Sequence, residues 1–232
     1  MQTIDKSRAN GLARFTSLVY LYTGLGVAFW LLVANAIARN AALSKVVMSG
    51  MVSHLVIFSI VIMAVAFGFI SMANAFATRS YFMTFISYVL FLTTFAVFGI
   101  PIFYAYSAQS ITQALVVTSV IFIVSSLFGY FTKKDLTTWS RTLLIGLISI
   151  IAVSIINLVF FKSSLLMLGI NIAVIVVFLF YIAFDAQNIK RIYEQAQGSE
   201  TLGAIALVAS INLVLDFINV LLSLLSIFGN NN

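Results

Sequence analysis

Seven long apolar runs separated by short polar stretches account for nearly the whole chain, over residues 15–37, 52–73, 81–106, 112–131, 142–161, 164–186 and 202–228. Each reaches the roughly 20 residues that a helix needs to cross a bilayer. None alternates apolar with polar residues, and each is about twice the length of a barrel strand. The pattern predicts an all-α polytopic membrane protein with seven transmembrane helices. No low-complexity linker divides the runs, so the reading is a single domain over residues 1–232, with residues 1–14 as a cytoplasmic tail. The longest polar connection is 187–201, and helix six is expected to end near Lys190, whose stem can reach the headgroups.

Composition narrows the choice further. Of 232 residues, 62% are hydrophobic and 8% are charged, against about 25% charged in a soluble domain. Twelve basic and six acidic residues cannot cover a water-facing surface. The net charge of +6 is not a nucleic-acid footprint, because the basic residues flank apolar runs. There they set topology and meet anionic headgroups. The absence of cysteine excludes disulfides, thiolate metal sites and a Cys nucleophile. No His-Glu-x-x-His or Gly-x-Ser-x-Gly motif supports an enzyme, and no cofactor is called for. A retinal Schiff base has no lysine on the last run.

The N-terminus imitates a signal peptide, with Lys6, Arg8 and Arg14 ahead of an apolar run and Ala34-Asn35-Ala36 after it. The run is too long for a usual signal core, so it is read as a retained first helix. A cytoplasmic N-terminus places nine basic residues inside (Lys6, Arg8, Arg14, Arg79, Lys133, Lys134, Arg141, Lys190, Arg191) and three outside (Arg39, Lys45, Lys162). The positive-inside rule favours that orientation. An odd number of spans then puts residues 230–232 outside, and the short tails fit a bacterial cytoplasmic membrane.

Four acids, Asp5, Asp135, Glu194 and Glu200, lie in polar stretches, but Asp185 and Asp216 lie inside apolar runs. An aspartate at a helix centre costs about 2.5–3.5 kcal/mol to insert, so it normally faces a cavity or a partner. Asn212, Asp216, Asn219 and Ser223 recur at spacings of 4, 3 and 4, which is one helix face. Asn and Ser in such a stripe serve as interhelical glue, and an Asp among them points to a functional cavity. Tyr181 sits one turn before Asp185, placed either to hydrogen-bond it or to pack.

If helix six ends near Lys190, Asp185 lies about 7–8 Å deep; if helix seven enters near Ser210, Asp216 lies about 9 Å deep, whereas entry at Leu202 would put Asp216 near the midplane and offset the pair. Two carboxylates that meet there would share one proton and titrate as a pair. Protonated, the pair ties two helices together. Ionised, it repels and offers oxygen ligands to a hard cation such as Ca²⁺. Three readings fit: a proton-gated cation leak, a non-transporting membrane protein that regulates other membrane proteins or proteases, and a proton-coupled transporter.

Five further motifs complete the picture: Tyr22-Thr-Gly-Leu-Gly-Val27, Phe98-Gly-Ile-Pro-Ile-Phe103, Phe128-Gly-Tyr-Phe-Thr-Lys-Lys-Asp-Leu136, Phe184-Asp-Ala-Gln-Asn-Ile189 and Leu215-Asp-Phe-Ile-Asn219. With the ending Leu221-Leu-Ser-Leu-Leu-Ser-Ile-Phe-Gly229, the chain resembles the Bax inhibitor-1 family along nearly its whole length. The resemblance implies six helices wrapped around a central C-terminal one. It also implies a pH-sensitive Ca²⁺ leak governed by an aspartate pair, here Asp185 and Asp216, with Ca²⁺ as the permeating or bound ion. It implies a second-helix Arg that pairs with the aspartates when closed. The run 52–73 carries no charge, and Arg79 lies beyond its inner end.

Among the remaining features, His54 is expected at the outer interface of helix two. Gly24 and Gly26 are expected in close helix packing. Pro101 with Gly99 should kink helix three. Lys133-Lys134-Asp135 reads as a positive-inside loop.

Overall fold

Helices form wherever the apolar runs predict them, and several run past the predicted edges. A computed structural model describes residues 2–229, with side chains from Asn10 onward. Residues 230–232, expected on the outer side, lie outside the described residues. The helices are α1 (Gln2–Arg39), α2 (Ala41–Phe76), α3 (Tyr81–Phe95), α4 (Ile102–Ala105), α5 (Ala108–Phe131), α6 (Ser140–Ile156), α7 (Ser164–Ala196) and α8 (Leu202–Phe228). Among the described residues, seven helical stretches are long and apolar enough to span a membrane. α3 with α4 makes one of them, and α6 with its flanking turns makes another. The chain is an integral membrane protein of seven helices.

Polar side chains set several helix ends. Asn40 Oδ1 accepts from the Ala42 and Leu43 amides at the start of α2. Ser80 and Ser107 cap α3 and α5 in the same way. After α6 the helix widens over Asn157–Phe161 and stops at Lys162, which has φ 50°. There Asn157 Oδ1 accepts from the Ser163 amide at 3.0 Å, and Asn157 Nδ2 donates to the Ser163 carbonyl at 3.2 Å. Gly198, with φ +84°, turns the chain between α7 and α8.

Some expectations need correction. Helix six does not end near Lys190; α7 continues to Ala196, because Arg191-Ile-Tyr-Glu-Gln-Ala196 holds no helix breaker. The connection before α8 is correspondingly short. His54 does lie at the end of the run 52–73: two helical stretches of α2 meet there at a bend (φ −142°, ψ 47°), with the Phe58 ring folded against Gly50 across it. Lys45 therefore also belongs to α2, ahead of the bend, and the part after the bend carries no charge. Gly24 has open space around it, so close packing explains Gly26 alone: a Cβ there would collide with the Tyr88 hydroxyl. Pro101 breaks the third span as expected, through a 3₁₀ turn at Ala96–Gly99.

The chain packs as two units. The first comprises residues 2–105 with Ile189–Val214, and the second comprises Tyr106–Asn188 with residues 215–229. In the first, Trp30 is fully buried and its Nε1 donates at 3.1 Å to the Phe95 carbonyl. That carbonyl lies where the proline break interrupts the helix. The Tyr88 hydroxyl donates to the Tyr22 carbonyl at 2.9 Å, and Ser210 Oγ donates to the Tyr88 hydroxyl at 3.4 Å. In the second, α5 meets α7 so closely that a Cβ on Gly129 would run into the Ala183 backbone.

Many large apolar side chains point outward, as at Val52 (80% exposed) and Phe160 (76%). Exposing such a side chain to water costs about 1.5–3 kcal/mol, so these surfaces face lipid. α8 is the most enclosed span, with 61% of its apolar window buried against 6% for α2.

The Gly129 contact makes a prediction. Gly129→Val should destabilise the protein by roughly 1–3 kcal/mol, because the backbones must part. Gly169→Ala, with nothing within 4 Å, should not destabilise it. Thermal unfolding in detergent compares the two.

Candidate functional site

α7 and α8 each carry one buried acid in the second unit, Asp185 (8% exposed) and Asp216 (4%). Their carboxyl groups are joined by a side-chain hydrogen bond. Asp216 Oδ2 is enclosed and has no hydrogen-bond partner. Tyr181, one turn before Asp185, lies within electrostatic range of both carboxyls, and its ring packs on Phe178 at 5.6 Å. Asp185 lies eleven residues from the end of α7 and Asp216 fourteen from the start of α8. Those distances correspond to about 16 and 21 Å along the two helices. α7 extends further than the sequence suggested, α8 begins at Leu202 as its apolar run does, and the acids meet although that start was expected to offset them.

The surroundings of Asp185 are held by the motif 128–136. Gln187, two residues after Asp185, uses both ends of its amide on the loop that follows α5. Its Oε1 accepts from the Leu136 amide at 2.8 Å, and its Nε2 donates to the Lys134 carbonyl at 2.8 Å. Asp135 caps the next turn by accepting from the Thr137 amide and hydroxyl. Trp139 packs on Phe180 of α7 at 5.1 Å. With Gly129 against Ala183, these contacts fix α7 on either side of Asp185. On α8, Ser226 accepts a 2.8 Å hydrogen bond from Asn171 Nδ2 of α7.

The predicted polar stripe does not act as one group. Asn219 is half-buried and donates to its own helix at the Leu215 carbonyl. Ser223 is buried one turn further on. Asn212 is exposed and belongs to the first unit, where it lines a cleft of about 490 Å³ with Asn74, Gln195 and Ser199. Arg79 is exposed in the turn between α2 and α3. The structure thus brings Asp185 and Asp216 together, with Tyr181 within electrostatic range of both.

Gln187 and the Asn171–Ser226 pair escaped the sequence reading. The available signals were a polar residue two places after a buried acid and an amide inside an apolar run. Among the described residues no group of three or more His, Asp or Glu comes together. Two carboxylates supply at most four oxygens, fewer than the 6–8 that Ca²⁺ takes, so an ion held here keeps several waters.

A family model described as inhibitor of apoptosis-promoting Bax1 matches residues 12–232. The chain is similar to the inner membrane protein YbhL of Escherichia coli (strain K12), at 37% identity over 147 residues, 61% of this chain and 62% of that protein. It is also similar to a Caulobacter vibrioides protein, at 38% over 127 residues (54% and 50%). Rickettsia prowazekii protein RP147 is 39% identical over 125 residues (54% and 52%). The matched part spans half to just under two thirds of these relatives.

The clamp is testable without a transport assay. Gln187→Ala should cost about 1–3 kcal/mol, since the Leu136 amide loses its partner. Gln187→Glu, which keeps the acceptor, should cost less. Hydrogen exchange at the Leu136 amide should rise in the first variant and stay slow in the second.

Proposed function

The chain belongs to the Bax inhibitor-1 family, and on that premise we propose that it is a pH-sensitive cation leak channel, passing Ca²⁺, gated by Asp185 and Asp216. The observation that carries this reading is the buried contact between the two carboxyls. Two carboxyls in contact cannot both ionise cheaply, so they hold a proton between them. While they do, the hydrogen bond ties α7 to α8. When the proton leaves, two negative charges face each other in an apolar interior and the helices separate around them. The same ionised oxygens then attract a cation, and the waters it retains keep it from being trapped. Tyr181 lies within electrostatic range of both carboxyls.

In this reading the N-terminus is cytoplasmic, which the positive-inside count supports. The inner-membrane relative supports a bacterial cytoplasmic membrane. Lipid, Ca²⁺ and protons are the partners this reading requires.

Ca²⁺ flux into liposomes, measured across pH, tests the gate. Flux should rise as pH rises through the titration of the pair. Asp185→Asn and Asp216→Asn each remove one titrating group and should flatten that dependence. An unchanged pH profile in both variants rules out the gating role. Protein that leaks no ion at any pH yet co-purifies with a membrane protease would instead mark a regulator of other membrane proteins. Uptake driven by a proton gradient would mark a coupled transporter.

A further inference from the structure

An ion at the carboxyl pair must leave toward one end of the bundle, and within the second unit α5 and α8 form a seam with unusual polar content. Thr118, Phe122, Ser126 and Gly129 follow at helical spacing on the buried face of α5. Thr118 is fully buried and Ser126 is 5% exposed. Neither hydroxyl has a hydrogen-bond partner. Hydroxyls in membrane helices usually donate to the carbonyl one turn back. On this same helix Thr112 does so to Ala108 at 2.9 Å, and Ser119 to Leu115 at 2.8 Å. Thr118 and Ser126 forgo that bond. Each unpaired buried hydroxyl costs about 1–3 kcal/mol unless water or an ion meets it.

The geometry of the seam gives these hydroxyls a direction. Between them, the Phe122 ring meets Phe217 edge to face at 5.7 Å and 64°. Phe217 directly follows Asp216. On the far side of this ring pair, past Thr118, lies a cavity of about 300 Å³ lined by Ser110, Gln113, Ala114, Val117, Leu224 and Phe228. Because residues 110–117 of α5 and Leu224–Phe228 of α8 line the cavity beyond the Phe122–Phe217 contact, the two helices run antiparallel there, and along α5 Thr118 comes before the rings on the cavity side and Ser126 after them.

We propose that the α5–α8 seam is a hydrated cation path from the carboxyl pair to this cavity, with Thr118 and Ser126 as its hydroxyl ligands and Phe122–Phe217 as its apolar constriction. The seam's use as a leak rests on the channel reading above. Its hydration does not. Hydroxyl oxygens replace part of a cation's water shell without trapping it, and facing aromatic rings close a narrow pore by excluding water.

The chain holds no cysteine, so single cysteines report water access without background. Thr118→Cys and Ala114→Cys should react with a small cationic methanethiosulfonate at least about tenfold faster than the lipid-facing Val120→Cys, since the reagent needs a hydrated thiolate. Modification at position 118 should lower Ca²⁺ flux in liposomes severalfold, and Phe122→Ala should raise it severalfold. If Thr118→Cys fails to fold, judged by elution and thermal unfolding, Ala114→Cys decides alone. Reactivity equal to that of Val120→Cys at both sites overturns the hydrated seam. Fast labelling in a wild-type protein that leaks no ion keeps the seam and removes only the channel reading. Fast labelling with wild-type flux present, but unchanged by modification, overturns the seam as the ion's route.

Discussion

An isolated carboxylate in an apolar interior carries a solvation penalty far larger than a protein's whole stability. Two acids placed against each other escape it by holding a proton between them. Asp185 and Asp216 meet from different helices, so the register of α7 against α8 decides whether they can do so. Much of the second unit serves that register. Gln187 binds the loop after α5, Gly129 lets α5 touch the α7 backbone, and Asn171 bonds Ser226. If these contacts loosen, the carboxyls lose the geometry that lets them stay buried.

Lipid imposes a second constraint, because it offers no hydrogen bonds to a broken helix. The chain breaks its helices in several places and meets the freed groups with side chains. Trp30 takes the Phe95 carbonyl ahead of the Pro101 break. Asn157 binds both polar groups of the Ser163 backbone where α6 ends. Against that pattern of satisfied polar groups, the buried hydroxyls of Thr118 and Ser126 in the second unit, like that of Thr16 in the first, have no hydrogen-bond partner.

The motif 128–136 and the motif 184–189 are far apart in the chain but form one assembly. The Lys133-Lys134 stretch reads in sequence as a topology signal. In the fold its backbone is also the anchor for Gln187, which ties the residues around Asp185 to the membrane surface. One short polar segment thus has two uses, one electrostatic and one mechanical.

The amino-acid order alone determined the helical class, the seven spans and the presence of two acids inside apolar runs. Span length and the cost of a charge in hydrocarbon are properties of a local stretch, readable without knowing what packs beside it. Helix ends were less legible: α7 passed Lys190 because charged residues can extend a helix beyond the apolar run, and α2 began before its run because Asn40 caps it. Only the tertiary structure decided that Asp185 touches Asp216, that Gln187 spends its whole amide on one loop, that Asn212 parts company with the stripe, and that Gly26 rather than Gly24 marks a close approach. Each of these depends on how one helix is rotated against another remote in sequence, and helical periodicity sets a face without naming its partner.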